Sequence, residues 1–187
     1  MNLHEILEDT VNKVEHYAQD YENVHSIAFG WIDGQPSGEI SAPSPYGLLH
    51  PCAFSVSEGL VDTIAIMTPV RFKVEAEETA TYTIRDREGV DGILVLALRP
   101  GHEVLPALIA TTVLGERRIF ERVDAVNVDA RLLVGLALVD GILAQRVIPS
   151  MSPREADEML QHMSGGGFTY RANESLQRSS SPAAPRS

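Results

Sequence analysis

One cysteine, Cys52, occurs in the 187 residues, which excludes an intrachain disulfide and removes any demand for an oxidising compartment. Basic charge is also scarce: 15 Lys and Arg stand against 26 Asp and Glu, a net of −11. Phosphate neutralisation by cations drives nucleic-acid affinity, and so acidic a surface repels nucleic acid and anionic membranes alike. Only Lys13 and Lys73 are lysines, and this preference for Arg hints at a GC-rich genome. Long apolar runs are missing too. The best rival for a span, residues 130–148, carries Asp140 at its middle and Arg146 near its end, leaving Leu132–Val139 as its uninterrupted stretch. A spanning helix needs roughly twenty apolar residues, so no membrane segment is expected. Met1–Thr10 has neither a basic start nor an apolar run, so no signal peptide is expected and the predicted location is cytoplasmic. Neither glycine cluster, Gly34–Gly38 or Gly165–Gly167, both follows a strand and opens a helix, so neither makes a phosphate-cradling loop.

With 44% hydrophobic and 22% charged residues, the chain has the composition of one ordinary domain with a sizeable core. Its expected organising element is a helix at about 129–148, apolar on nearly all sides and so wrapped by protein. Upstream, Leu3, Ile6, Leu7, Val11, Val14, Tyr17, Ala18 and Tyr21 mark one face of an amphipathic helix. A strand follows over Val24–Ile32, with Ile27, Phe29 and Trp31 on one side, then an Asp33-Gly34 turn and a returning strand at Gly38–Ser41. Three prolines in Ala42–Cys52 predict a loop. Ser55 and Glu58 have capping-box spacing, although Gly59 argues against a long helix there.

Val61–Val74 reads as a long strand that Pro69 makes bulged or edge-like in its second half. Thr79–Arg85 and Val90–Leu98 predict a hairpin, with Gly92–Leu98 apolar enough to be covered on both faces. Glu103–Leu114 reads as a helix with Pro106 in its first turn, and Glu116–Ala125 is ambiguous. Ser152-Pro-Arg-Glu155 is a capping box opening a helix with Ala156, Met159, Leu160 and Met163 on one face, closed by Gly165–Gly167. The expectation is a single α+β domain over residues 1–163. It has an antiparallel meander sheet of four to five strands, and a disordered tail over 164–187.

Three stretches resemble a family of actinobacterial proteins of unassigned activity. They are His50-Pro51 before Val61-Asp-Thr-Ile-Ala-Ile66, Thr81-Tyr-Thr-Ile-Arg-Asp-Arg-Glu-Gly89, and Leu138-Val-Asp-Gly-Ile-Leu-Ala-Gln-Arg146. The chain departs from that pattern in lacking a Trp near Val61-Asp62. The resemblance implies a bacterial cytosolic origin and no residue roles. The order of elements is also similar to roadblock, profilin-like and PAS-type modules, a likeness of fold that does not fix function.

Candidate chemistry is sparse. His4/Glu8 and His16/Asp20 have the four-residue spacing of a shared metal on one helix turn, but each lacks a third ligand. A solvated helix face explains them better, and no metal or other cofactor is expected. In an extended segment His50 and Cys52 point to one side, as a thiolate and its base would need, yet no third group orients them. Asp140 inside an apolar helix needs a partner, for which Arg117, Arg118 or Arg122 is the candidate. Tyr46 and His50 could line a binding surface, and Trp31 reads as core. Phe168, Tyr170 and Arg171 form the aromatic and basic part of a tail that could dock on a partner.

With no assembled nucleophile, base and oxyanion donor, the leading expectation is a non-enzymatic scaffold or regulatory module. It would bind a protein partner or a second copy through its sheet face or edge. The alternatives are a small-molecule sensing domain with a pocket between sheet and C-terminal helix, and an enzyme using His50, Cys52 or Asp140.

Overall fold

The structure, a computed structural model, describes residues 1–18, 24–75, 79–82, 90–114, 117–123, 141–142 and 149–173. Helix α1 (Leu3–Tyr17) starts at Asn2, whose side chain accepts from the Glu5 N–H at 2.9 Å while Glu5 accepts from the Asn2 N–H at 2.7 Å. This capping box fills two of the N–H groups that a helix start leaves open. The helix buries Ile6, Leu7, Thr10 and Val14, and keeps the acidic side in water.

Strands β1 (Ser26–Ile32) and β2 (Gln35–Ala42) form the expected hairpin. Asp33 and Gly34 both take positive φ, 51° and 73°, the conformation that a tight two-residue hairpin turn requires. The prolines after β2 do not make a loop. Pro45–Leu48 is a 3-10 turn that runs into α2 (Leu49–Ser57), a correction that reorients every side chain between Tyr46 and Cys52. Pro51 sits in the first turn of α2, where its missing N–H costs nothing. Ser55 lies inside α2, its hydroxyl donating to the Pro51 carbonyl, so Ser55 and Glu58 are not a capping box. Gly59, at φ +70°, ends the helix, with the Leu60 N–H returning to the Ser55 carbonyl.

Strand β3 (Thr63–Glu75) is the longest, and β4 (Thr79–Tyr82) turns back along it. Strand β5 (Val90–Leu98) then lies along the other side of β3, since Phe72 pairs with both Tyr82 and Val90. The expected hairpin between the runs after residues 79 and 90 is thus replaced by two separate pairings with β3. Pro69 keeps the β3–β5 register unbroken, and falls between the last residue paired with β1 (Met67) and the first paired with β4 (Phe72). The edge half of the expectation holds there and the bulge half does not.

Leu105–Leu114 is strand β6 and Arg117–Val123 is strand β7, which overturns the helix expected over 103–114. The run Ala107–Ala110 suits either a helix or a strand by periodicity alone. Its β-branched continuation through Ile109, Thr111, Thr112 and Val113 suits the pleat, and β5 offers a paired edge on which both faces of the run are covered. Helix α3 (Pro153–Met163) opens with the Ser152–Glu155 capping box and buries Ala156 and Leu160, while Met159 stays exposed. Strand β8 (Thr169–Ala172) then pairs with β2.

The sheet is open and antiparallel throughout, in the order β7-β6-β5-β3-β1-β2-β8, with the short β4 off this path. Seven strands in line replace the four to five expected, because β6, β7 and β8 come from stretches read as helix, ambiguous or disordered. Two cores lie against the two faces. One holds α1 with Phe29, Trp31, Met67, Ile93 and Val95; the other holds α2 and α3 with Ile66, Phe72, Leu94, Leu96 and Leu160. Residues 93–98 of β5 feed the two cores alternately and are all buried, as the sequence predicts. Of the expected central helix only Gly141 and Ile142 fall within the described residues; both are helical, and Ile142 is buried in the α2 side of the core. Among the described residues no helix is long and apolar enough to cross a membrane.

Candidate functional site

Helical geometry separates the most reactive-looking pair. Residues two apart on a helix point about 200° apart around its axis. His50 is therefore exposed in a shallow groove with Leu49, Ala53, Phe54, Ser57 and Gly141, while Cys52 is wholly buried against the sheet. Burial pushes the Cys52 thiol up to about 12, so it stays protonated and without a base. The small space beside it, lined by Ser37, Ile40, Ser55 and Tyr170 among others, measures about 20 Å³, room for a water and not for a metabolite. Tyr46 is exposed on the 3-10 turn. Asp140 lies outside the described residues. Two of its three candidate partners are engaged elsewhere: Arg122 bridges to Glu8 at 2.8 Å, and Arg118 donates to the Thr111 hydroxyl at 3.1 Å.

The supposed docking tail is part of the body. Phe168 packs on the core, Tyr170 donates to Asp157 at 2.6 Å, and Arg171 lies 3.3 Å from Glu39. Burial, followed by the Asp157 hydrogen bond and charge, raises the Tyr170 phenol above its ordinary range. The disordered tail expected over 164–187 is corrected in its first part: residues 164–173 are ordered and add a strand to one rim of the sheet, while residues 174–187 lie outside the described residues.

Two polar clusters escaped the sequence reading. At one end of the sheet Asp62 accepts from the Asp33 N–H at 2.7 Å and from the Thr63 hydroxyl at 2.6 Å. Arg99 donates to that same hydroxyl at 2.7 Å. Asp33, Asp62 and Arg99 border an open cleft of about 700 Å³, yet the Asp62 carboxylate is occupied in bracing the β1–β2 turn against β3 and β5. On the α1 face, Lys13 pairs with Asp9 and sits 5.0 Å from the Phe29 ring centre and 5.4 Å from that of Trp31. Beside it Tyr17 donates to Glu39 at 3.1 Å, and burial, then Glu39, raises its phenol. These residues come from distant parts of the chain and carry no shared spacing by which sequence could find them.

The remaining feature is the β6–β7 ribbon. Among the described residues β7 has a strand neighbour on one side only. Val113 and Leu114 at its tip are 60% and 67% exposed, and Ile119 in the edge strand is 47% exposed. A long edge strand with apolar side chains in water is a template for another strand. No family model, curated protein or solved structure matches this chain.

Proposed function

We propose that this chain is a cytosolic, non-enzymatic interaction module that recruits a protein through the open edge of β7. The observation that carries the reading is the ribbon itself. Its main-chain edge is unpaired among the described residues, and Val113, Leu114 and Ile119 are exposed beside it. Strand addition to such an edge draws affinity from main-chain hydrogen bonds and selectivity from alternate side chains. The enzymatic alternative is weakened by the separation of His50 from Cys52, and a small-molecule pocket at Cys52 by its size. The test is capture from source-cell lysate by the wild-type chain and by Ile119→Lys, with matched melting curves as the folding control. The expected result is proteins held by the wild type and lost from the variant. Equal capture by both contradicts the reading.

A further inference from the structure

We propose that the occupant of the β7 edge is the same edge of a second copy, antiparallel, with Ile119 facing Ile119 across a two-fold axis. This rests on the reading of β7 as the working edge, and it adds the partner and the register.

The argument is one of register and charge. A two-fold axis that joins two antiparallel edge strands into one sheet stands perpendicular to that sheet and maps each face onto itself. The axis must then pass midway between one residue and its own copy on the other strand, and paired residues share a face. Pairing of β7 with β6 sets Arg117, Ile119 and Glu121 on the same side as Val123, which packs toward the α2 and α3 core. Arg118 and Phe120 lie on the α1 side with Arg122.

Five centres lie between the end residues of the strand, and the one on Arg122 sets Arg against Arg. Centred on Arg118, Arg meets Arg. Centred on Phe120, Arg118 meets Arg122 and Ile119 meets Glu121. Centred on Glu121, Glu meets Glu. Centred on Ile119, Arg117 meets Glu121 at both ends, Ile119 meets Ile119, and Arg118 meets Phe120. Directly opposed opposite charges and apolar pairs stabilise a ladder, whereas like charges oppose it.

In-chain partners sharpen the choice. Arg122 is held by Glu8, and Arg118 reaches Thr111. Arg117 and Glu121 are both exposed, and neither has an ion-pair partner among the described residues. These two are the charges that complement each other across the Ile119 axis. A single added strand pair buries less than a standard stable interface, so the pairing is weak and depends on concentration.

Sedimentation equilibrium of the purified full chain tests it, with circular dichroism as the folding check. Arg117→Glu and Glu121→Arg should each raise the dimer dissociation constant about tenfold, since each turns two opposed attractive pairs repulsive. The double variant Arg117→Glu with Glu121→Arg should return it to within about threefold of the wild type, which loss of fold cannot imitate. Mild oxidation of Ile119→Cys should give a covalent dimer, because directly opposed strand residues lie within disulfide reach and the buried Cys52 stays out of the reaction. A monomer at every concentration with no covalent dimer overturns the proposal, as does a double variant no tighter than the single ones. Lysate capture that still depends on Ile119 would then leave the module reading standing without self-pairing.

Discussion

Glu58 shows what single residues do here. Its carboxylate, buried at the end of α2, accepts from the Ser150 N–H at 2.8 Å, the Ser150 hydroxyl at 3.0 Å and the Met151 N–H at 3.0 Å. Burial alone would raise its pKa, but the three hydrogen bonds outweigh it and hold the group below its ordinary 4.5. A carboxyl whose folded pKa is depressed stabilises the fold above its unfolded value, and that contribution is lost as pH falls through the folded value. Glu58→Gln should therefore be less stable than the wild type in urea at about pH 7, with a gap that narrows below about pH 4. A gap constant with pH contradicts this role. Glu58 was legible only as a false capping box, because its partners lie 92 and 93 residues away. The separation of Cys52 from His50 was hidden for a different reason. Their residue types were right for chemistry, but the side on which each points depends on whether the backbone is extended or helical, and Pro45 and Pro51 fit either.

At the scale of elements, β8 is the clearest gain over the sequence. Four residues in a Gly- and Ser-rich stretch have too little pattern to announce a strand, and what orders them is the vacant edge of β2 together with the seat that Phe168 and Tyr170 find on the core. Tyr170→Ala should accordingly cost about 2–5 kcal/mol, the range for truncating a large packed side chain. A free tail would give a change within about 0.5 kcal/mol. The shift of the urea midpoint at constant slope measures it. Elements with strong periodicity or explicit punctuation were readable: α1 by its apolar face, the β1–β2 hairpin by Asp33-Gly34, α3 by Ser152-Pro-Arg-Glu155, and β5 by its apolar run. Strand β6 was misread because an apolar run flanked by Pro106 and followed by alanine and threonine satisfies two periods, and only the neighbouring strand chooses between them.

At the scale of the molecule, the antiparallel sheet is a middle layer, with α1 on one face and α2 and α3 on the other. Sequence supplied the class of this arrangement but not its width. Each strand added at the rim is decided by an edge already present, a property of the assembled sheet and not of the segment. The two rims end differently. One is finished by the short β8, tied down by Tyr170 and Arg171, and the other is the longer β7, with its apolar neighbours in water. That asymmetry is the physical basis for assigning the working surface to β7.

Amide hydrogen exchange across Arg117–Val123, followed as protein concentration is raised, tests this assignment most directly. Successive residues of a strand send their N–H groups to opposite sides, so in dilute solution alternate amides of β7 should exchange fast while those bonded to β6 stay protected, and the fast set should slow as concentration rises. Protection of every β7 amide already in the dilute chain would mean that the edge is covered from within, and would contradict the account.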